Sequence, residues 1–139
     1  MNIDSIYNGI VLDHIRAGTG MEVYRQLGLD RLDCSVAIIT NAKSTKMGKK
    51  DIIKIDSPIH LNLEVLGYLD PDITVDIIRE GKLVNKAHLQ LPAQLVNTIR
   101  CKNPRCITAQ ESQLDTLFVL ADAGRRVYRC AYCDTEHTR

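Results

Sequence analysis

Four of the five cysteines in this 139-residue chain stand in two close pairs. Cys101 and Cys106 make a C-x4-C step, Cys130 and Cys133 a C-x2-C step, and twenty-three residues separate the pairs. Zinc prefers four soft ligands at tetrahedral corners, and a tight knuckle presents two thiolates to one ion. Two knuckles close the shell and leave no position for water or substrate, so the spacing predicts one structural zinc ion per chain rather than a catalytic metal. Two disulfides would use the same residues but require an oxidising compartment, and no signal peptide or transmembrane segment is expected here. Thiols kept reduced for a metal point to the cytoplasm. His137 has no spaced partner and is expected on an exposed tail, and Cys34 beside its apolar run is expected as a buried thiol.

Other chemistry is sparse. Catalysis needs a nucleophile, an acid/base pair or an open metal site. No Gly-x-Ser-x-Gly, Walker loop or His-Glu-x-x-His occurs, and His14, His60, His88 and His137 are scattered. A second group suits an anion instead: Asp13 and His14 at the end of the first strand, Lys54 on the third and Lys86 on the last. Lysines hold phosphate as point charges, and a carboxylate reads hydroxyls or a base edge. Taken alone, these charges are read more simply as solvated surface.

The elements that must position these residues follow from pattern. Ile10-Val11-Leu12 is a strand-like run within an extended segment from Ile3 to Ile15. Met21, Tyr24 and Leu27 fall at helical spacing, with Thr19 as N-cap and Gly28 as stop. Gly18 and Gly20 lack the full nucleotide-loop fingerprint and predict a tight strand-to-helix turn. A second strand spans 34–41, a polar loop 42–50 and a third strand 51–56, with Ile53 and Ile55 on one face and Ile52 and Lys54 on the other. Leu61, Leu63, Leu66 and Leu69 suggest a second helix ended by Asp70-Pro71. Strands 73–79 and 82–88 flank a Glu80-Gly81 turn. Strand, helix, strand, strand, helix, strand, with one extra strand, predicts an α+β fold: a ferredoxin-like two-layer sandwich at the N-terminus. Residues 89–95, with Pro92, are expected as a link. A small all-β zinc-ribbon-like domain follows, its strands 117–120 and 126–130 paired about Asp122-Ala-Gly124. Its short length leaves metal binding to supply much of its folding free energy.

The net charge of +1 carries no overall bias toward nucleic acid or membrane. An alternative reading is a zinc-ribbon nucleic-acid-binding protein, since Arg100, Lys102, Arg105, Arg125, Arg126 and Arg129 make the cysteine region locally basic. Glu111, Asp115, Asp122, Asp134 and Glu136 dilute that charge and stacking aromatics are few, so neither nucleic acid nor membrane is the expected partner.

Gly9-Ile-Val-Leu-Asp-His-Ile15, Met47-Gly-Lys-Lys-Asp-Ile-Ile-Lys-Ile55, the Leu91-Pro92 link and the paired cysteines occur in that order. Together they resemble the regulatory chain of aspartate carbamoyltransferase over roughly residues 4 to 134. The resemblance implies a non-catalytic regulatory subunit in pyrimidine biosynthesis. Residues 1–91 would be an allosteric nucleotide-binding domain and residues 92–139 a zinc domain that docks on the catalytic chain. Regulatory chains of this family pair as dimers, and three such dimers bridge two catalytic trimers. CTP inhibits, ATP activates and UTP acts beside CTP in some members. Carried over by motif, Asp13, His14, Lys54 and Lys86 contact phosphates and ribose, while Ile6, Val11, Ile78 and Leu83 surround the base. Ser44 and Lys50 fall near a second nucleotide and its Mg²⁺, and Asn103 at a catalytic-chain contact. Asp76 stands where members can have an Asn near the base, and Gly81 replaces a bulkier turn residue. The run from Cys34 to Thr40 is a candidate edge for dimer pairing.

Overall fold

A computed structural model describes residues 6–138 and divides into two compact units, Met1–Gln90 and Leu91–Arg139. Residues 3–5 of the expected first segment lie outside the described part. In the first unit, strand β1 (Gly9–Arg16) is followed by helix α1 (Gly20–Gln26), a 3-10 turn (Leu29–Arg31), β2 (Val36–Ser44) and β3 (Gly48–Ile55). Helix α2 (Leu63–Leu69), β4 (Thr74–Arg79) and β5 (Lys82–His88) complete it. The strands form one antiparallel sheet in the order β2-β3-β1-β4-β5. The first four strands have the ferredoxin-like arrangement, and β5 adds an outer strand through a hairpin.

Period-two alternation decides the two faces of the sheet. Ile10, Leu12, Ile53, Ile55 and Val75 are buried, and they form the core with Val23 of α1 and Leu66 of α2. Val11, Lys54, Asp76 and Lys86 lie on the opposite face. The helices are short, so their apolar contact with this core, rather than local propensity, holds them. Asn62 caps α2 through its side-chain oxygen, which accepts from the backbone N–H of Glu64 and Val65 at 3.1 Å each.

The α1 cap differs from expectation. The Thr19 hydroxyl donates backward to the Arg16 carbonyl, 2.7 Å away, and gives no N-cap bond. A buried carboxylate serves in its place. Asp51 Oδ2 accepts from Gly18 N at 3.1 Å and Gly20 N at 2.9 Å, and Oδ1 accepts from Asn41 N at 3.0 Å. A Cβ on Gly20 would lie 2.8 Å from Asp51 Oδ2, so glycine is what permits this approach. The expected loop 42–50 is also corrected: β2 runs to Ser44 and β3 starts at Gly48, leaving a three-residue turn. A protruding hairpin ribbon is wet on both faces and needs no apolar alternation, which hides it from a pattern reading. The Glu80-Gly81 turn is as expected, and both residues have positive φ, 52° and 76°.

In the second unit, β6 (Gln94–Val96), a helical turn α3 (Ile107–Gln110), β7 (Leu117–Asp122), β8 (Val127–Cys130) and β9 (Glu136–Thr138) form a four-stranded sheet in the order β6-β7-β8-β9. Part of the expected link is therefore strand. Leu95 is wholly buried, and the Tyr128 hydroxyl donates to the Pro92 carbonyl at 2.7 Å. His137 is not on an exposed tail: it is half-buried on β9, edge-on to Phe118 with ring centroids 6.0 Å apart. Burial, with the Lys102 charge nearby, holds its imidazole below the usual histidine range. Leu95, Phe118, Val127 and Tyr128 are nearly all the large apolar side chains this unit buries.

Candidate metal centre and anion-binding face

The two knuckles bring their sulfurs together. The Sγ atoms of Cys101, Cys106, Cys130 and Cys133 all lie within 4.8 Å of one another, with Cys101 to Cys133 at 3.5 Å and Cys106 to Cys130 at 3.7 Å. Four ligands at Zn–S bonds of ~2.3 Å sit about 3.8 Å apart, so the spacing fits a tetrahedral ion. All four cysteines are free, at separations far beyond a disulfide bond. The knuckles are built locally. Asn103 Oδ1 accepts from Arg105 N and the Asn103 carbonyl from Cys106 N, both at 3.0 Å, which bends the first. The Asp134 N–H donates to the Cys130 carbonyl at 2.9 Å in the second.

The electrostatics divide the sulfurs into two kinds. Cys106 and Cys133 each have a threonine hydroxyl at 3.1 Å, from Thr108 and Thr135, and these hydrogen bonds pull both thiols down. Burial pushes Cys101 and Cys130 up. Four thiolates this close require a cation, and a bound dication reverses the penalty on the second pair. Catalytic roles have no support in this donor set, which closes the shell with protein sulfur.

The second candidate lies on the outer face of the first sheet, where register sets three rows. Ala37, Lys54, Val11, Asp76 and Lys86 stand side by side across β2-β3-β1-β4-β5. Toward one end lie Gly9, Ile78 and Leu83, and Ile6 packs beside Gly9. Toward the other lie Asp13, Thr74 and His88. Strand β1 bulges between Leu12 and Ile15, and His14 takes φ 60° there. The bulge aims His14 Nδ1 at Thr74 Oγ1, 3.0 Å away, while Asp13 Oδ1 accepts from His14 N at 2.7 Å.

The register puts Lys54 opposite Val11, one row along from Asp13, and Lys50 Nζ makes the ion pair with Asp13 Oδ1 at 2.9 Å. Burial alone would raise the Asp13 carboxyl, but Lys50 and the His14 N–H outweigh it and hold it below the usual range. Lys50 and Asp13, assigned to two nucleotides by resemblance, thus form one unit. Ser44 Oγ accepts from Met47 N at 3.1 Å and shapes the β2–β3 turn. Asp76 Oδ1 is buried and has no hydrogen-bond partner among the described residues, which leaves an acceptor in the middle of the face. Beyond His14 and Lys86 the face deepens into a cavity of about 580 Å³ that Lys46, Thr74 and His88 also line. Sequence reasoning missed Asp51, Lys46, Thr74 and His88. Strand parity would have placed Asp51 with Ile53 and Ile55 in the core, and Thr74 and His88 with Asp76 and Lys86 outside.

Residues 1–90 match the family described as aspartate carbamoyltransferase regulatory chain, allosteric domain, and residues 93–139 the one described as its metal binding domain. The chain is also similar to proteins named aspartate carbamoyltransferase regulatory chain. The Clostridium botulinum protein (strain Hall) is 48% identical over 134 residues, 96% of this chain and 92% of that relative. The Clostridium tetani protein is 46% identical over 135 residues, 96% and 94% of the two chains. The Bifidobacterium longum protein is 43% identical over 136 residues, 98% of each.

Proposed function

This chain belongs to the aspartate carbamoyltransferase regulatory chain family, and from that premise we propose that it is a non-catalytic subunit that binds CTP as inhibitor and ATP as activator and passes the signal to catalytic chains in pyrimidine biosynthesis. The observation that carries the reading is the row of Lys54, Val11, Asp76 and Lys86 on the solvent face of the sheet. It sets two cations and one unanswered acceptor between an apolar end and a polar end. In this reading Ile6, Val11, Ile78 and Leu83 take the base, and Asp13, His14, Lys54 and Lys86 the ribose and phosphates. Ser44 and Lys50 serve a second nucleotide with Mg²⁺. Asp76 can accept from a ribose hydroxyl or a base amine but cannot donate to a carbonyl, which bears on effector choice.

The metal-binding unit docks on the catalytic chain through the zinc knuckle carrying Asn103, and β2, an outermost strand of its sheet, pairs two regulatory chains. Three such dimers bridge two catalytic trimers in the cytoplasm. No helix among the described residues is long and apolar enough to cross a membrane. The domain limits we assign are 1–91 for the nucleotide-binding part and 92–139 for the zinc part. Regulation is then a coupling free energy: an effector shifts the assembly only by binding one state better, with couplings of about 1–3 kcal/mol.

Calorimetric titration of the zinc-loaded chain with CTP, with ATP as competitor, tests this. Saturable CTP binding that ATP displaces and Lys54→Ala removes is the expected result, followed by effector-dependent activity of reconstituted catalytic trimers. Absence of binding by both nucleotides, in the free chain and in the reconstituted assembly, would sink the reading.

A further inference from the structure

The second unit has a cavity of its own that the four-sulfur cluster does not use. Its volume is about 310 Å³, and two segments build it: residues 97–100, which lead from β6 to Cys101, and residues 112–116, which lead from α3 to β7. Asn97 locks the segments together. Its backbone N–H donates to the Thr116 carbonyl, its Oδ1 accepts from Thr116 N, and its Nδ2 donates to Asp115 Oδ1, each at 2.9 Å. To do so Asn97 takes φ 56°, a conformation that asparagine tolerates better than most residues. With the Asn97 side chain occupied, the lining is rich in donors: the Arg100 guanidinium and the Ser112 and Thr116 hydroxyls, with no acid among them. The two acids nearest in sequence are engaged elsewhere, Asp115 by Asn97 and Glu111 by Gln113 Nε2 at 2.8 Å.

Thr116 carries the inference. It is 8% exposed, and its hydroxyl oxygen is buried without a hydrogen-bond partner among the described residues. A buried hydroxyl left unanswered is costly, and one in the lining of a cavity is answered by what enters the cavity. The backbone N–H groups of Thr98, Ile99 and Arg100 likewise meet no acceptor among the described residues. We propose that this cavity is a binding site for a small oxyanion, a phosphate or carboxylate group, held by Arg100 and by the Ser112 and Thr116 hydroxyls. A guanidinium presents two parallel N–H donors to two oxygens of such a group, and the hydroxyls donate to its remaining lone pairs. A cation would find no opposing charge in this lining, and an apolar ligand would leave the Thr116 hydroxyl unanswered. The site is independent of the nucleotide face, because every residue in it belongs to the second unit.

Amide NMR of the zinc-loaded full chain, titrated with inorganic phosphate at constant ionic strength and read on the second unit, tests this. The expected result is saturable shifts confined to residues 97–100 and 112–116, while the signals of Cys130 and Cys133 stay in place and show that the metal is retained. Arg100→Gln should weaken binding about tenfold or more, and Thr116→Val and Ser112→Ala about threefold to tenfold each. Thr116→Val removes a hydroxyl that has no partner in the free protein, so the thermal midpoint without phosphate should not fall. A fall would mean that the hydroxyl is already answered within the protein, which counts against the site. Ser112 is exposed, so Ser112→Ala reads binding without a burden on folding. The same titration with acetate separates the two oxyanions. Stronger binding of phosphate assigns a phosphate site, and equal or stronger binding of acetate assigns recognition of a carboxylate. Failure of both anions to bind would overturn the proposal. So would shifts that never saturate, that spread equally to Lys102, Arg105 and Arg129, or that survive both Arg100→Gln and Ser112→Ala, since these report only charge screening.

Discussion

Asp51 is the residue on which the first unit's local geometry turns. Its carboxylate is 1% exposed and answers three backbone N–H groups from two separate segments, the β1–α1 turn and the bulge of β2. A buried charge is tolerable when its lone pairs are filled, and here backbone donors fill them in place of a cation. Asp51→Ala strands those donors and should cost roughly 3 kcal/mol or more in urea unfolding of the first unit, with Asp51→Asn intermediate. A loss below about 1 kcal/mol would show that the bonds do not matter. Asp13 makes a different, pH-dependent prediction. Burial alone would raise its folded pKa, but Lys50 and the His14 N–H hold it below the usual carboxylate range. The stability it contributes is therefore present above pH ~4 and lost as pH falls through the depressed value. Asp13→Asn should lower stability at neutral pH and flatten that part of the acid limb, read from first-unit NMR signals. An unchanged acid limb would place the ion pair among those with no net effect.

At the scale of elements, the β4–β5 hairpin shows how turn chemistry fixes register. A two-residue turn with both central residues at positive φ matches the twist of the strands and favours Asn-Gly. Gly81 meets the demand, but Glu80 adopts φ 52° at a steric cost. Glu80→Asn should stabilise by about 0.5–1 kcal/mol, because Asn tolerates that conformation and the N–H bond to Asn8 Oδ1 is kept. Gly81→Val should destabilise by about 1–2 kcal/mol; thermal midpoints of both variants, moving in opposite directions, check the pair. This hairpin was legible in the sequence because its signal is local, as were the strand faces, both helices of the first unit and the paired cysteines. Less legible were features set by distant partners. The Asp51 cap depends on a residue thirty-one positions from Gly20, and the Lys50–Asp13 pair depends on a bulge that alternation does not announce. Strands β6 and β9 are three residues each, too short to carry a periodicity, and they are strands only because β7 and β8 offer them edges.

Across the whole molecule, the two units rest on different physics. The first buries a connected aliphatic core between sheet and helices and can hold its fold by apolar burial. The second buries few large side chains, and two of its buried residues, Cys106 and Cys130, belong to the four-sulfur cluster that could hold an ion. A unit of this size rarely balances its chain entropy without a staple, and the four-sulfur cluster is the staple available. Removing zinc with a chelator should therefore unfold the second unit and spare the first. Amide signals of β6 to β9 should collapse to random-coil positions while those of β1 to β5 persist. The same treatment separates the two halves of the proposed function. CTP titrated into the metal-free chain should bind as before, because every residue assigned to the nucleotide lies within the first unit. Catalytic trimers should no longer assemble with it, because the docking surface proposed above belongs to the unit that has lost its fold. Full assembly by a chain verified to be metal-free would mean that the thiolates fold without zinc, and the structural role of the cluster would fall. Loss of CTP binding along with assembly would mean instead that the nucleotide face depends on the metal unit, and the division of labour drawn between residues 1–91 and 92–139 would fail.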